Sequence, residues 1–158
     1  MRQLNVFGKD LELCSSDPMT GAYRTGCCET GPDDIGTHTV CAIVTDKFLE
    51  FSKKRGNDLT KDIPYYNFKG LKDGDKWCLC VSRWIEAYKE GSAPKVLLES
   101  THIKTLDYLS FEELLEYKAL CFVDLFRTFY IEPMPRVELG TFSLPRKRST
   151  PELHRLKS

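Results

Sequence analysis

The 158 residues contain no Gly-x-Gly-x-x-Gly string, no phosphate-binding Gly-Lys-Ser/Thr loop, no His-Glu-x-x-His and no Gly-x-Ser-x-Gly. The commonest nucleotide, zinc-protease and serine-hydrolase readings therefore have no sequence support. Long apolar runs are missing too. Ala119 to Ile131 is the most apolar stretch, but Asp124 and Arg127 interrupt it and it falls short of the roughly 20 residues that cross a bilayer. Met1 to Asp10 has no apolar block behind its single Arg, which argues against a secretory signal. Net charge is absent as well, with 23 Lys/Arg against 23 Asp/Glu. The balance is uneven along the chain: residues 136–158 hold six Lys/Arg against Glu138 and Glu152. The body is correspondingly acidic, which argues against a surface built to hold a phosphate backbone.

Seven cysteines are present, at 14, 27, 28, 41, 78, 80 and 121, yet no Cys-x-x-Cys. Without an export signal the expected compartment is the reducing cytoplasm, where thiols stay free unless metal or catalysis recruits them. The odd count and the modest density also argue against a disulfide scaffold. Length and composition suit one domain with an appendage.

Turn formers dominate the first third. A short strand is expected around Leu4–Phe7, and Asp17-Pro18-Met19-Thr20-Gly21 is turn chemistry. Gly26, Gly31, Pro32 and Gly36 continue the punctuation, which places Cys14, Cys27 and Cys28 on loops. His38–Val44 reads as a strand, with Thr45 as N-cap of a helix Asp46–Arg55 whose buried stripe includes Phe48 and Leu49. Lys72-Asp73-Gly74-Asp75 forms a turn into a strand Lys76–Val81, and Ser82 caps a helix Arg83–Glu90. Lys95–Glu99 is extended again. Ser110 and Glu113 form a capping box that opens a last helix running to about Lys118. Four prolines then cut the remainder into pieces too short for a core. The expected fold class is α+β: a compact domain over 1–118 with a small sheet and short helices, followed by a poorly ordered basic extension over 119–158.

The strings Asp17-Pro18-Met19-Thr20-Gly21, Cys27-Cys28, His38-Thr39-Val40-Cys41 and Trp77-Cys78-Leu79-Cys80 resemble those of a mainly bacterial family catalogued as domain of unknown function 2237. The resemblance covers about Asn5 to Lys118. It implies a compact mixed α/β unit and names no reaction. The extension with Cys121 and His154 lies past the point where chains of that family end.

Chemistry must come from the residues. Cys14, His38, Cys41, Cys78, Cys80 and His102 supply enough soft ligands for a tetrahedral zinc site. However, Cys78 and Cys80 stand about 6–7 Å apart along one face of a strand, and adjacent Cys27 and Cys28 point to opposite faces. A second reading makes Cys27 or Cys28, near His38 or His102, a redox or nucleophilic thiol, with a strained vicinal disulfide as one form. A third treats Cys41 with Cys78 or Cys80 as small core hydrophobes, has His38 and His102 satisfy backbone groups, and takes Trp77 and Trp84 as anchors.

Asp17 could add a carboxylate to a site, but the turn explains it equally well. Asp33 and Asp34 could do the same, but solvent exposure explains them equally well and is the favoured assignment. Pro145-Arg146-Lys147-Arg148 offers a basic patch for nuclear import or a polyanion. On balance the sequence describes a cytoplasmic domain. In it the Cys14–Cys28 loops converge on His38–Cys41 and Cys78–Cys80, and the resulting patch binds an unknown protein or small molecule. A zinc site and a thiol enzyme are the alternatives.

Overall fold

The computed structural model describes residues 2–120. Three strands, β1 (Val40–Ile43), β2 (Lys76–Leu79) and β3 (Lys95–Val96), form one antiparallel sheet in the order β2-β1-β3. The register sets Val40 opposite Leu79, Cys41 opposite Cys78 and Ala42 opposite Trp77. Three helices accompany the sheet: α1 (Asp46–Lys54), α2 (Val81–Lys89) and α3 (Phe111–Glu116). The class is α+β. Among the described residues no helix is long and apolar enough to cross a membrane.

The two-residue period of a strand divides the sheet into two faces. Val40, Ala42, Leu79 and Val96 join Phe48, Leu49, Val81, Trp84, Leu98 and Leu114 in the main core. Cys41 and Cys78 point the other way and pack with Cys14, Cys28 and Leu97 in a second, smaller cluster. The sheet therefore carries an aliphatic and aromatic core on one side and a sulfur core on the other.

Local signals in the sequence explain the helix starts. Thr45 Oγ1 accepts the Phe48 amide at 3.2 Å, Asp46 occupies the first turn, and Lys53 and Lys54 close the last. Ser110 and Glu113 form the expected capping box. Two elements depart from expectation. Leu4–Phe7 makes only isolated bridges, Leu4 to Asp10 and Asn5 to His102, because the chain turns back at Gly8 with φ 72°. Helix α2 begins at Val81, with Cys80 and not Ser82 as its N-cap, and Cys80 makes no side-chain cap bond. The Val81 amide is already satisfied by Thr37 O at 3.0 Å, and the Arg83 and Trp84 amides both reach Cys80 O at 3.1 Å, so no serine cap is needed.

Beyond α3 the chain lies beside β3, with Val96 N donating to Tyr117 O and Ala119 N to Val96 O, each at 2.8 Å. The rest of the extension, with Cys121, His154 and the basic patch, lies outside the described residues.

Trp84 anchors the main core. It is fully buried, donates from Nε1 to Pro94 O at 3.1 Å, stacks on Tyr88 and meets Tyr117 edge-on. Replacing it with Ala is expected to remove about 3–5 kcal/mol of stability in urea unfolding. A loss below about 1 kcal/mol would show that the core does not depend on this ring.

Candidate functional site

The loop from Thr30 to Thr39 folds back on itself through tight turns: Asp34 N bonds Gly31 O, Thr37 N bonds Asp34 O, and Thr39 N bonds Thr37 O. This brings Asp34 and His38, four residues apart, face to face. His38 Nδ1 lies 2.5 Å from Asp34 Oδ1, the His38 amide donates to Oδ2 at 2.7 Å, and Thr30 Oγ1 donates to Oδ2 at 3.0 Å. The Asp34 side chain is only 1% exposed, against 35% for the ring it holds. Asp34, assigned to solvent from the sequence, is therefore a buried and fully partnered carboxylate. Turn chemistry at Gly31-Pro32-Asp33 masked the signal, which was the Asp-x-x-x-His spacing itself.

Cys80 completes the cluster from the other side. It sits where β2 ends and α2 begins, half-buried with a free sulfur. The Thr37 carbonyl that takes the Val81 amide ties this corner to the loop. Gly36 fills the gap between them: a Cβ there would lie 2.5 Å from His38 Cε1 and 3.0 Å from Cys80 Sγ. Only glycine lets the loop press this closely on both side chains.

Electrostatics follows the geometry. A hydrogen bond to Cys80 raises the His38 pKa, burial opposes it, and the bond and charge of Asp34 add to the rise, so the ring titrates at about 9. For Asp34, burial pushes the pKa up, but the bonds from the His38 ring, the His38 amide and Thr30 outweigh it and hold the carboxyl below its ordinary value. With Nδ1 given to Asp34, Nε2 is the ring nitrogen left for the sulfur. His38 is thus an imidazolium at neutral pH, oriented by a carboxylate and set against a cysteine.

Four of the other described sulfurs do not stay free. Cys14 is bonded to Cys41 and Cys28 to Cys78, which corrects the expectation drawn from compartment and count. Pairing follows proximity in the fold: Cys41 and Cys78 are opposite neighbours in the ladder, and each meets a cysteine from the N-terminal loops. No vicinal Cys27–Cys28 bond forms, since Cys28 is committed to Cys78. Cys27 remains free, and burial, followed by the charge of Glu29, pushes its thiol pKa up.

Two groups of residues thus come together: the four disulfide sulfurs, and Asp34 with His38 and Cys80. Of these, Cys14, Cys28 and Cys78 have sulfurs within 4.8 Å of one another, a spacing a metal could also use. His102 stands apart. Its Nδ1 accepts the Lys104 amide at 3.0 Å, capping a 3-10 turn, and burial lowers its pKa. The ring borders a cleft of about 410 Å³ shared with Arg2, Thr30 and Ile103. Asp17 is exposed, precedes Pro18 through a cis peptide bond, and lines a separate 220 Å³ hollow with Phe68 and Lys69.

Fold and site together define a small α+β domain with a disulfide-bonded sulfur core and a solvent-accessible Cys-His-Asp cluster. The chain belongs to the family described as "Uncharacterized protein conserved in bacteria (DUF2237)", which matches residues 4–118. No curated protein matches the chain.

The raised His38 pKa has a stability consequence with a definite sign. Its contribution is fully present below the unfolded value near 6.5 and is lost as pH rises through about 9. The ring is about one-third exposed, so solvent screening reduces the effect to roughly 1–2 kcal/mol. Urea unfolding of wild type and His38→Gln is expected to give a difference that shrinks between pH 6.5 and 9. A difference that stays flat across that window would contradict the assignment.

Proposed function

We propose that the chain is a cysteine-dependent acyl-transfer enzyme in which Cys80 is the nucleophile, His38 carries the proton and Asp34 is the positioning residue. The observation that supports this reading is a buried carboxylate that holds His38 at Nδ1, with Cys80 at the start of a helix and the His38 ring both pressed against Gly36. A cysteine nucleophile needs a base within hydrogen-bond reach, and that base needs a third group to fix its tautomer.

The chemistry closes without a cofactor. Cys80 sulfur attacks an acyl carbon, and the C=O pair moves onto oxygen. Collapse of the adduct expels the leaving group, which takes the proton from His38, and a thioester remains. Water then gives a proton to the now neutral His38 as its oxygen attacks the thioester. Collapse of this second adduct releases the acid and returns the electron pair to sulfur, while His38 keeps the proton it took from water, which restores the starting state. The Ser82 amide, second in α2 and two residues on from Cys80, has no acceptor among the described residues and is the donor this reading assigns to the developing oxyanion. Ile35, 98% exposed between Asp34 and Gly36, gives the rim an apolar contact for the acyl group.

A small molecule or an acylated protein could occupy that rim; both fit the sequence-based expectation of an unidentified partner. This reading needs Cys80 reduced, whereas the two buried disulfides, bonds that a reducing cytoplasm disfavours, weigh against the expected cytoplasmic residence.

Exposure of the protein to an activated nitrophenyl ester tests the reading. Intact-mass and peptide analysis is expected to find one acyl group on Cys80, none in Cys80→Ser, and an acylation rate lower by about 10²–10⁴ in His38→Ala. Equal rates in wild type and His38→Ala, or acylation confined to Cys27, would overturn it.

A further inference from the structure

We infer that Cys14, Cys28, Cys41 and Cys78 form a redox-linked metal site, closed as two disulfides when oxidised and holding one zinc-class ion as a tetrathiolate when reduced. The inference does not involve Cys80 and stands apart from the acyl-transfer reading.

Proximity across the two disulfides is the first support. The Cys14 sulfur belongs to one disulfide and those of Cys28 and Cys78 to the other, yet all three lie within 4.8 Å of one another. The Cys41 sulfur is one bond from that of Cys14, and Cys41 lies directly opposite Cys78 in the sheet. A tetrahedral zinc with bonds of about 2.3 Å sets its four sulfurs about 3.8 Å apart. Reaching that shape requires the bonded pairs to open from about 2 Å and the Cys14 sulfur to close by at most about 1 Å on those of Cys28 and Cys78, while the Cys41 sulfur, outside that 4.8 Å group, must rotate in further.

Enclosure is the second. The four residues are 3%, 0%, 0% and 1% exposed, with Leu97 packed against them. Structural zinc sites are closed in this way, with no position for water. Two ligands come from paired strands and two from the loops that otherwise lack regular structure, so the ion would take over the tethering that the disulfides provide. The fully buried Thr20 hydroxyl accepts the Cys78 amide at 2.8 Å, and its own proton has no acceptor among the described residues. That proton is available to an anionic sulfur, as outer-sphere donors are in metal–thiolate sites.

The exchange balances. Each disulfide takes two electrons and two protons from a dithiol reductant, which leaves as its cyclic disulfide, so two equivalents free four thiols. One divalent ion then replaces four thiol protons, which pass to solvent, and leaves a complex of formal charge −2. A disulfide oxidant runs the sequence backwards and releases the ion.

The test uses the full chain, reduced without oxygen by a phosphine that is then removed, with cobalt(II) as probe and zinc as competitor. The expected result is one cobalt per chain with sulfur-to-cobalt charge-transfer and tetrahedral absorption, displaced by zinc, and no uptake by the oxidised chain. Pulsed alkylation of the zinc-loaded form assigns the ligands without a variant: Cys14, Cys28, Cys41 and Cys78 are protected, while Cys27 and Cys80 are labelled. Amide dispersion of that form should match the oxidised protein. A reduced chain that keeps native dispersion but takes no cobalt overturns the inference. So does labelling of those four sulfurs in the presence of zinc, or a zinc-loaded chain that stays unfolded.

Discussion

The Asp34 carboxylate lies almost wholly out of water because three donors converge on it, from the Thr30 hydroxyl, the His38 amide and the His38 ring. A carboxylate buried without such partners would cost several kcal/mol. Because the donors come from both ends of the Thr30–His38 loop, satisfying the charge also fixes the loop. The fixed loop aims the imidazole, and its Thr37 carbonyl receives the first amide of α2, which sets the place of Cys80. One electrostatic requirement therefore orders a loop, a ring and a helix start.

The two disulfides solve a different problem on the face of the sheet turned away from the main core. Residues 2–39 contribute no regular strand or helix of their own, so isolated bridges and turn bonds are what hold their backbone. Loops of 27 and 50 residues are closed by Cys14–Cys41 and Cys28–Cys78. On a chain-entropy view each closure removes roughly 4 kcal/mol of denatured-state freedom, less when combined because the loops overlap. The same crossing strands that bring Cys41 and Cys78 side by side bring their partners into one cluster.

Much of the fold could be read from local chemistry. Thr45 before Asp46, the Ser110–Glu113 box and the β-branched run at His38–Val44 each named an element that formed. Signals that depend on one short window survive folding because nothing distant competes with them. The site was less legible. His38 and Cys80 were candidates, but as ligands beside Cys14, Cys41, Cys78 and His102, because nothing local shows which sulfurs will meet. Asp34 looked like a surface turn residue, since burial of a carboxylate depends on donors that only the folded loop supplies. The start of α2 shifted from Arg83 to Val81 for a similar reason: Thr37, more than forty residues away in sequence, satisfies the amide a serine cap would have served.

The central claim is that His38 is an imidazolium at neutral pH because it faces both Asp34 and Cys80. Nitrogen-15 NMR titration of the ring reads this directly. The account predicts a midpoint near 9 in the wild type that moves back toward 6.5 in Cys80→Ala. A wild-type midpoint already near 6.5, unchanged by removing the sulfur, would contradict it.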